Sequence, residues 1–224
     1  MSPPIVRAFV FLTGTLLEID FWNVGQGDCT VIKLPNGRLI IIDVGPRGSP
    51  LVQWLREGTR RQTAIEAIVL THNDADHAGS FPVLVNEFKQ NIGAIWMLAD
   101  RSLQDPKFLK IFRAAHQGES EGYYKINRLE DGHILWNDNQ TTTCLRVIHP
   151  TMSQNVLAND PNDTSGMVVL DVEGKNLVTW PGDLQLTKTA EVLQGHLRTI
   201  GKAMHPKNRQ RHPSESIRPW HQCR

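Results

Sequence analysis

The chain has 224 residues, 40% of them hydrophobic and 21% charged. That balance excludes wholesale disorder, collagen and coiled coil, and suits one globular domain with a sizeable core. Its 24 basic and 23 acidic side chains leave a formal net charge of +1, so overall charge does not point to a nucleic-acid partner.

The uncharged apolar stretch 8–17 is shorter than the ~20 residues a membrane helix needs, so no membrane span is expected. Arg7 is the only basic side chain before it and no clear small-residue cleavage site follows, so no signal peptide is expected. Residues 17–22 alternate as a strand does. A glycine-bearing turn over 23–28 leads to Val- and Ile-rich strands at 29–34 and 38–43, with Pro35-Asn36-Gly37 as a hairpin signal between them. A short helix is expected at 50–58, then a continuous apolar strand at 65–70, as when both faces are covered. Helical periodicity follows at 81–90, with Pro82 in the first turn, and a buried strand at 92–98. Asp105 and Pro106 mark the start of a helix over 105–116. A weak strand at 126–136, a strand at 144–148, a polar loop at 151–164, a hairpin of 167–172 with 176–180 and a helix at 185–197 complete the body. Strand–helix–strand units between two antiparallel runs predict a mixed, layered α/β fold.

From Gly201 to Arg224 six basic side chains stand against Glu215, a net +5, whereas the rest carries 18 basic and 22 acidic groups, a net −4. The expected organisation is one folded domain over 1–202 and a basic, solvated tail over 203–224. The cysteines Cys29, Cys144 and Cys223 form no CxxC pair. They predict two core thiols and one tail thiol in a reducing, cytoplasmic setting.

The segment Thr71-His72-Asn73-Asp74-Ala75-Asp76-His77 concentrates the chemistry. Two imidazoles and two carboxylates fall within six residues, on the loop after a buried strand, where an α/β sheet presents its ligands. Imidazole suits zinc, manganese or iron, and carboxylates suit harder ions. The bland alternative is a polar turn in which Asp76 caps the next helix.

His72, Asp74, Asp76 and His77 resemble the HxHxDH signature of the metallo-β-lactamase superfamily, with Asp74 in place of the middle His. That replacement resembles the branch of DNA-uptake, ComEC-type hydrolase domains. Phe21-Trp22-Asn23-Val24-Gly25-Gln26-Gly27-Asp28 is similar to the branch's LDVGQGD, with Asn23 for Asp. Ile42-Asp43-Val44-Gly45 is similar to its LIDTG. Asn162-Asp163-Thr164-Ser165 is similar to NNxS, Pro181-Gly182-Asp183 to the TGD turn, and Ser80 replaces the second Gly of HxGG. The closing LKxxHHGS has no counterpart after Asp183, so the C-terminal part reads as truncated or divergent. His196, His205 and then His149 are the candidate substitutes for its ligand.

The resemblance implies an αββα sandwich and two divalent ions, zinc or manganese, with the second site weak. Coordination lowers the pKa of water, so the implied reaction is hydrolysis at phosphorus or a carbonyl. His72 and Asp74 would hold one ion, with Asp163; Asp76 and His77 would hold the other and orient the nucleophile; Asp183 would bridge. The implied catalytic residues are Asp76 and Asp183, with Gln26, Asp28 and Asp43 supporting the loops. The implied substrates are phosphodiesters, as DNA, RNA or nucleotides. A lactonase or thioesterase, and a binding domain without activity, stand beside that reading, because the fold hosts several chemistries.

Overall fold

The computed structural model describes residues 5–12, 15–98, 106–138, 140–157 and 161–204. The chain falls into two compact units, divided between Leu129 and Glu130.

The first unit runs β1 (Ile5–Leu12), β2 (Thr15–Trp22), β3 (Cys29–Lys33), β4 (Leu39–Val44), α1 (Pro50–Arg56), β5 (Ile65–Val69), α2 (Ala75–Ala78), α3 (Phe81–Phe88), β6 (Ile92–Met97), α4 (Pro106–Ser120) and β7 (Lys125–Arg128). These strands make one seven-stranded sheet in chain order. Neighbours are antiparallel from β1 to β4 and parallel from β4 to β7. The switch follows from the connections. Short turns can join only antiparallel strands, whereas β4–β5, β5–β6 and β6–β7 are joined through helices. The 35–37 turn closes as its residues require: Gly37 has φ 80° and its N–H donates to the Leu34 carbonyl at 2.9 Å. Ser49 caps α1 by accepting from the Leu51 N–H, and Pro50 opens the helix.

Val31, Ile41, Ile68 and Ile95 of the sheet pack with Leu51 and Leu55 of α1, Phe81 and Leu84 of α3, and Phe108 and Ile111 of α4. Each such burial is worth about 1.5–3 kcal/mol relative to exposure. Ile40, Ile42 and Val69, on the other face, are equally buried, which is why 39–42 of β4 and 67–69 of β5 read as apolar runs.

The second unit runs β8 (Ile134–Asp138), β9 (Thr143–His149), α5 (Met152–Leu157), a 3₁₀ turn (Pro161–Thr164), β10 (Met167–Val172), β11 (Lys175–Trp180) and α6 (Leu186–Met204). Its four strands form an antiparallel sheet ordered β11-β10-β9-β8. Glu173 and Gly174 both take positive φ (49° and 76°), the geometry of a two-residue hairpin loop.

Several expectations are corrected here. The strand β1 was not anticipated. The expected strand over 126–136 is two strands, β7 and β8, in different sheets. The loop 151–164 contains α5 and the 3₁₀ turn, and the last helix continues to Met204, into the expected tail. Asp105, His205, Cys223 and the remainder of that tail lie outside the described residues. Cys29 and Cys144 are buried and unbridged. Among the described residues no helix is long and apolar enough to cross a membrane.

Candidate metal centre

The strand β5 ends at Val69 and delivers Thr71 and His72 into a buried loop. Asp74 then starts α2, a single turn carrying Asp76 and His77. Asp74 is the helix N-cap residue by position and makes no side-chain capping bond, and Asp76 lies in the first turn.

Asp43 organises the loop from the end of β4. It is 1% exposed and holds φ 53°, a conformation most side chains avoid. Its Oδ1 accepts from the Thr71 N–H at 2.8 Å, and its Oδ2 accepts from the Thr71 hydroxyl at 2.6 Å and from His77 Nδ1 at 2.9 Å. A carboxylate only accepts, so Nδ1 carries the imidazole proton and Nε2 carries the lone pair. This is the arrangement in which a carboxylate fixes the tautomer and orientation of a metal-binding histidine.

His72 is buried at 3% exposure, and its Nε2 lies 3.2 Å from Asp74 Oδ2. Two ligands at ~2.1 Å from one ion sit roughly 3–3.4 Å apart, so this spacing suits a shared cation. The His72 and His77 rings meet edge to face at 4.4 Å, and a nitrogen of one lies within 4.8 Å of a nitrogen of the other. Asp28, Asp43 and His77 also bring ligand atoms within 4.8 Å of one another. Imidazole and carboxylate packed at this density are the donor set of a divalent transition-metal site, and the residues present fit one.

Two glycines let the loops approach. At Gly27, with φ 105°, a Cβ would lie 2.1 Å from the Asp76 carbonyl oxygen and 2.7 Å from its carbon. At Gly79 a Cβ would lie 2.2 Å from the Ala75 carbonyl oxygen and 2.6 Å from the Arg47 nitrogen. Gly27→Ala therefore combines a forbidden contact with a strained backbone. It is expected to lower stability by about 3 kcal/mol and to displace Asp76. Thermal denaturation together with metal content checks this; wild-type values for both would refute it. Ser80 uses its hydroxyl to donate to the Pro46 carbonyl at 2.5 Å and to accept from the Ser49 N–H at 3.1 Å, tying the loop after β4 to the start of α3.

Gln26 is exposed at the tip of the glycine loop and Asp28 is exposed at its end. Asp163 and Asp183 belong to the second unit and are half-buried there. Asp163 lies in the 3₁₀ turn, closed by the Ser165 N–H donating to the Asn162 carbonyl at 3.0 Å. Asp183 follows Gly182, which has φ 57°, in the turn after β11. Of the candidate substitute ligands, His149 is buried and donates from Nδ1 to the Ser165 carbonyl at 3.0 Å. His196 places its Nε2 3.1 Å from Asp171 Oδ2, so this nitrogen is engaged within the second unit. Thr71 was not expected to take part. Its signal in the sequence was its place directly before His72.

A carboxylate-clamped histidine on the loop after a parallel strand of a mixed sheet is the arrangement of a candidate metal-binding centre. The metallo-β-lactamase superfamily model matches residues 22–178, and the chain belongs to that superfamily and has its mixed α/β sandwich fold. No curated protein matches the chain. Among solved structures it is similar to TMB-1, at 11% identity over 89% of this chain and 86% of that one, with a TM-score of 0.41. It is also similar to the DIM-1 metallo-β-lactamase, at 12% identity over 90% and 87%, again at 0.41. A likeness at this level carries no argument about substrate.

Proposed function

We propose that the chain is a metal-dependent phosphodiesterase of the ComEC-type branch, using zinc or manganese in a two-ion site. The observation that carries the metal-dependent reading is the clamp of Asp43 on Thr71 and His77. It turns a histidine of the motif into a ligand of defined tautomer. The carboxylate-rich set, with Asp74 where the superfamily signature has His, favours oxygen-preferring ions and phosphoryl substrates. When bound, divalent ions supply an acidified water and positive charge where an oxyanion develops. The chain's own part is to hold His72 and Asp74 on one ion and Asp76 and His77 on the other. Asp43 keeps the His77 ring from turning. Asp163 and Asp183 join as further ligands on the strength of the motifs that contain them. Nucleic acid or a nucleotide is the proposed substrate and the cytoplasm the proposed location.

Metal content of the purified chain and cleavage of bis(p-nitrophenyl) phosphate with added Mn²⁺ or Zn²⁺ test this together. Metal uptake with cleavage is the expected result. Uptake with hydrolysis of lactones or thioesters only would replace the substrate class, and absence of uptake would leave a binding domain. If Asp74→Ala, Asp76→Ala and Asp183→Ala all kept wild-type metal content, the ligand assignment would be wrong.

A further inference from the structure

The seven-stranded sheet ends at β1, and among the described residues no strand pairs with its outer side. An edge strand leaves alternate N–H and C=O groups without ladder partners. Folded proteins guard such edges with short strands, proline, bulges or charge. β1 is eight residues long, contains no proline and pairs with β2 without a break in register. Its one charged side chain, Arg7, is engaged within its own sheet. The Arg7 Nε lies 2.6 Å from Asp20 Oδ1 and 2.9 Å from Glu18 Oε1, and Lys33 Nζ lies 2.5 Å from the same Glu18 oxygen. Two cations against two carboxylates leave this group neutral.

The side chains beside the edge are apolar and exposed. Phe9 and Phe11, two residues apart and so on one face, are 49% and 82% exposed. Leu16, the cross-strand neighbour of Phe11, is exposed beside them. On the other face Val6 is 71% exposed. Single exposed apolar residues need no explanation, but a contiguous group on an unpaired edge marks an interaction surface.

We infer that β1 pairs antiparallel with β1 of a second copy of this chain, about a two-fold axis through Phe9, joining the two sheets edge to edge. A second copy is the occupant that the strand itself specifies. A two-fold contact sets the same patch on both sides, and an antiparallel edge is complementary to itself. About Phe9 the register brings Phe9 against Phe9, Phe11 against Arg7, Val6 against Leu12 and Ala8 against Val10 of the other copy. Each exposed apolar side chain of the strand thereby gains an apolar or cation–π neighbour. The neutral group around Arg7 adds no like-charge repulsion. Four phenylalanines and two strand edges amount to roughly 1,000 Å² in total, the lower end of a specific interface, so a reversible dimer of micromolar affinity is expected.

Sedimentation of the full chain from about 1 to 100 µM is expected to show monomer passing to dimer, with no larger species. The amides of β1 are expected to gain protection from hydrogen exchange over the same range. Phe9→Lys sets like charges face to face and is expected to weaken association at least about tenfold. It is expected to melt as the wild-type chain does at the dilute end, since the side chain it replaces is half-exposed. In a Cys223→Ser background, where the remaining Cys29 and Cys144 are buried, Phe9→Cys is expected to form an inter-chain disulfide on oxidation, because the axis sets residue 9 opposite its own copy. Val83→Cys, at an exposed position of α3, is expected not to cross-link. A chain that stays monomeric at the highest concentration, species that grow beyond two, or a dimer that Phe9→Lys leaves intact or Phe9→Cys fails to cross-link overturns the proposal. A monomer whose β1 amides are protected at every concentration would seat a segment of the same chain on the edge and overturn it too.

Discussion

Asp43→Asn is expected to leave the chain folded and to weaken its hold on a divalent ion by about ten- to a hundredfold. Asparagine tolerates the φ of 53° at this position almost as well as aspartate does, so the backbone need not move. One amide oxygen can still accept from Thr71. The amide nitrogen, however, is a donor: in the place of Oδ2 it faces both the Thr71 hydroxyl and His77 Nδ1, at 2.6 and 2.9 Å, and in the place of Oδ1 it opposes the Thr71 N–H. A hydroxyl can rotate to accept. The imidazole can respond only by moving its proton to Nε2, and a protonated Nε2 cannot bind metal. Asp43→Ala differs in kind. It leaves three buried donor groups without their acceptor, at about 1–3 kcal/mol for each that finds no replacement. Titration with Mn²⁺, melting of the metal-free protein and the imidazole ¹⁵N shifts of His77 separate the two effects. Wild-type affinity in Asp43→Asn with an unchanged tautomer would show that the clamp does not set the ligand.

The motif was legible because its side chains are contiguous. Nothing has to be known of the fold to see two imidazoles and two carboxylates between His72 and His77. The clamp was less so: Asp43 lies 34 residues before His77, and only the resemblance of Ile42-Asp43-Val44-Gly45 to a known segment picked it out as a supporting residue. What it supports was not readable, because hydrogen bonds between a strand end and a later loop leave no periodic trace. The central strands were legible through apolar runs. β1 was not, because Phe9 and Phe11 are exposed while Val10 and Leu12 are buried, and apolar residues on both faces erase the alternation on which strand assignment depends. The segment 126–136 misled for the opposite reason. Its two half-buried strands lie either side of a turn at Gly132, with φ 86°, and belong to different sheets. Asp171 carried a signal that went unused: an acid inside the apolar run Met167–Val172 needs a buried partner.

That partner set leads to the expected acid lability of the second unit. Asp171 is fully buried on β10. It accepts from Arg146 Nε of β9 at 2.9 Å, the Nη2 of the same guanidinium forms an ion pair with it at 2.7 Å, and His196 of α6 lies 3.1 Å away. Asp171→Ala would leave the Arg146 guanidinium, itself only 19% exposed, without its counter-charge. The expected loss is about 3–5 kcal/mol, and α6 loses its tie to the sheet. Replacing the pair together, as Arg146→Met with Asp171→Leu, is expected to restore most of it, because apolar side chains of similar volume need no partner. Burial alone would push the Asp171 carboxyl up, but the His196 hydrogen bond and the charge of Arg146 outweigh it and hold the group below its ordinary range. Its stabilisation is therefore present above the unfolded value of ~3.9 and lost as pH falls through the lower folded value. His149 acts in a higher window. Burial lowers its pKa, against the Ser165 carbonyl, so the unfolded chain takes up its proton first and stability falls as pH drops below ~6.5. Asp131 works in the opposite sense. Burial raises its pKa, so its contribution grows on acidification, but only near the carboxylate range. Urea denaturation of the metal-free protein, followed by hydrogen exchange in α6, is thus expected to show a falling midpoint from pH 7 to pH 5.5, and that fall should shrink in His149→Gln. A midpoint independent of pH over that interval in the wild-type chain would mean that His149 titrates alike in both states, and a wild-type midpoint for Asp171→Ala would mean that the buried pair does not hold the helix.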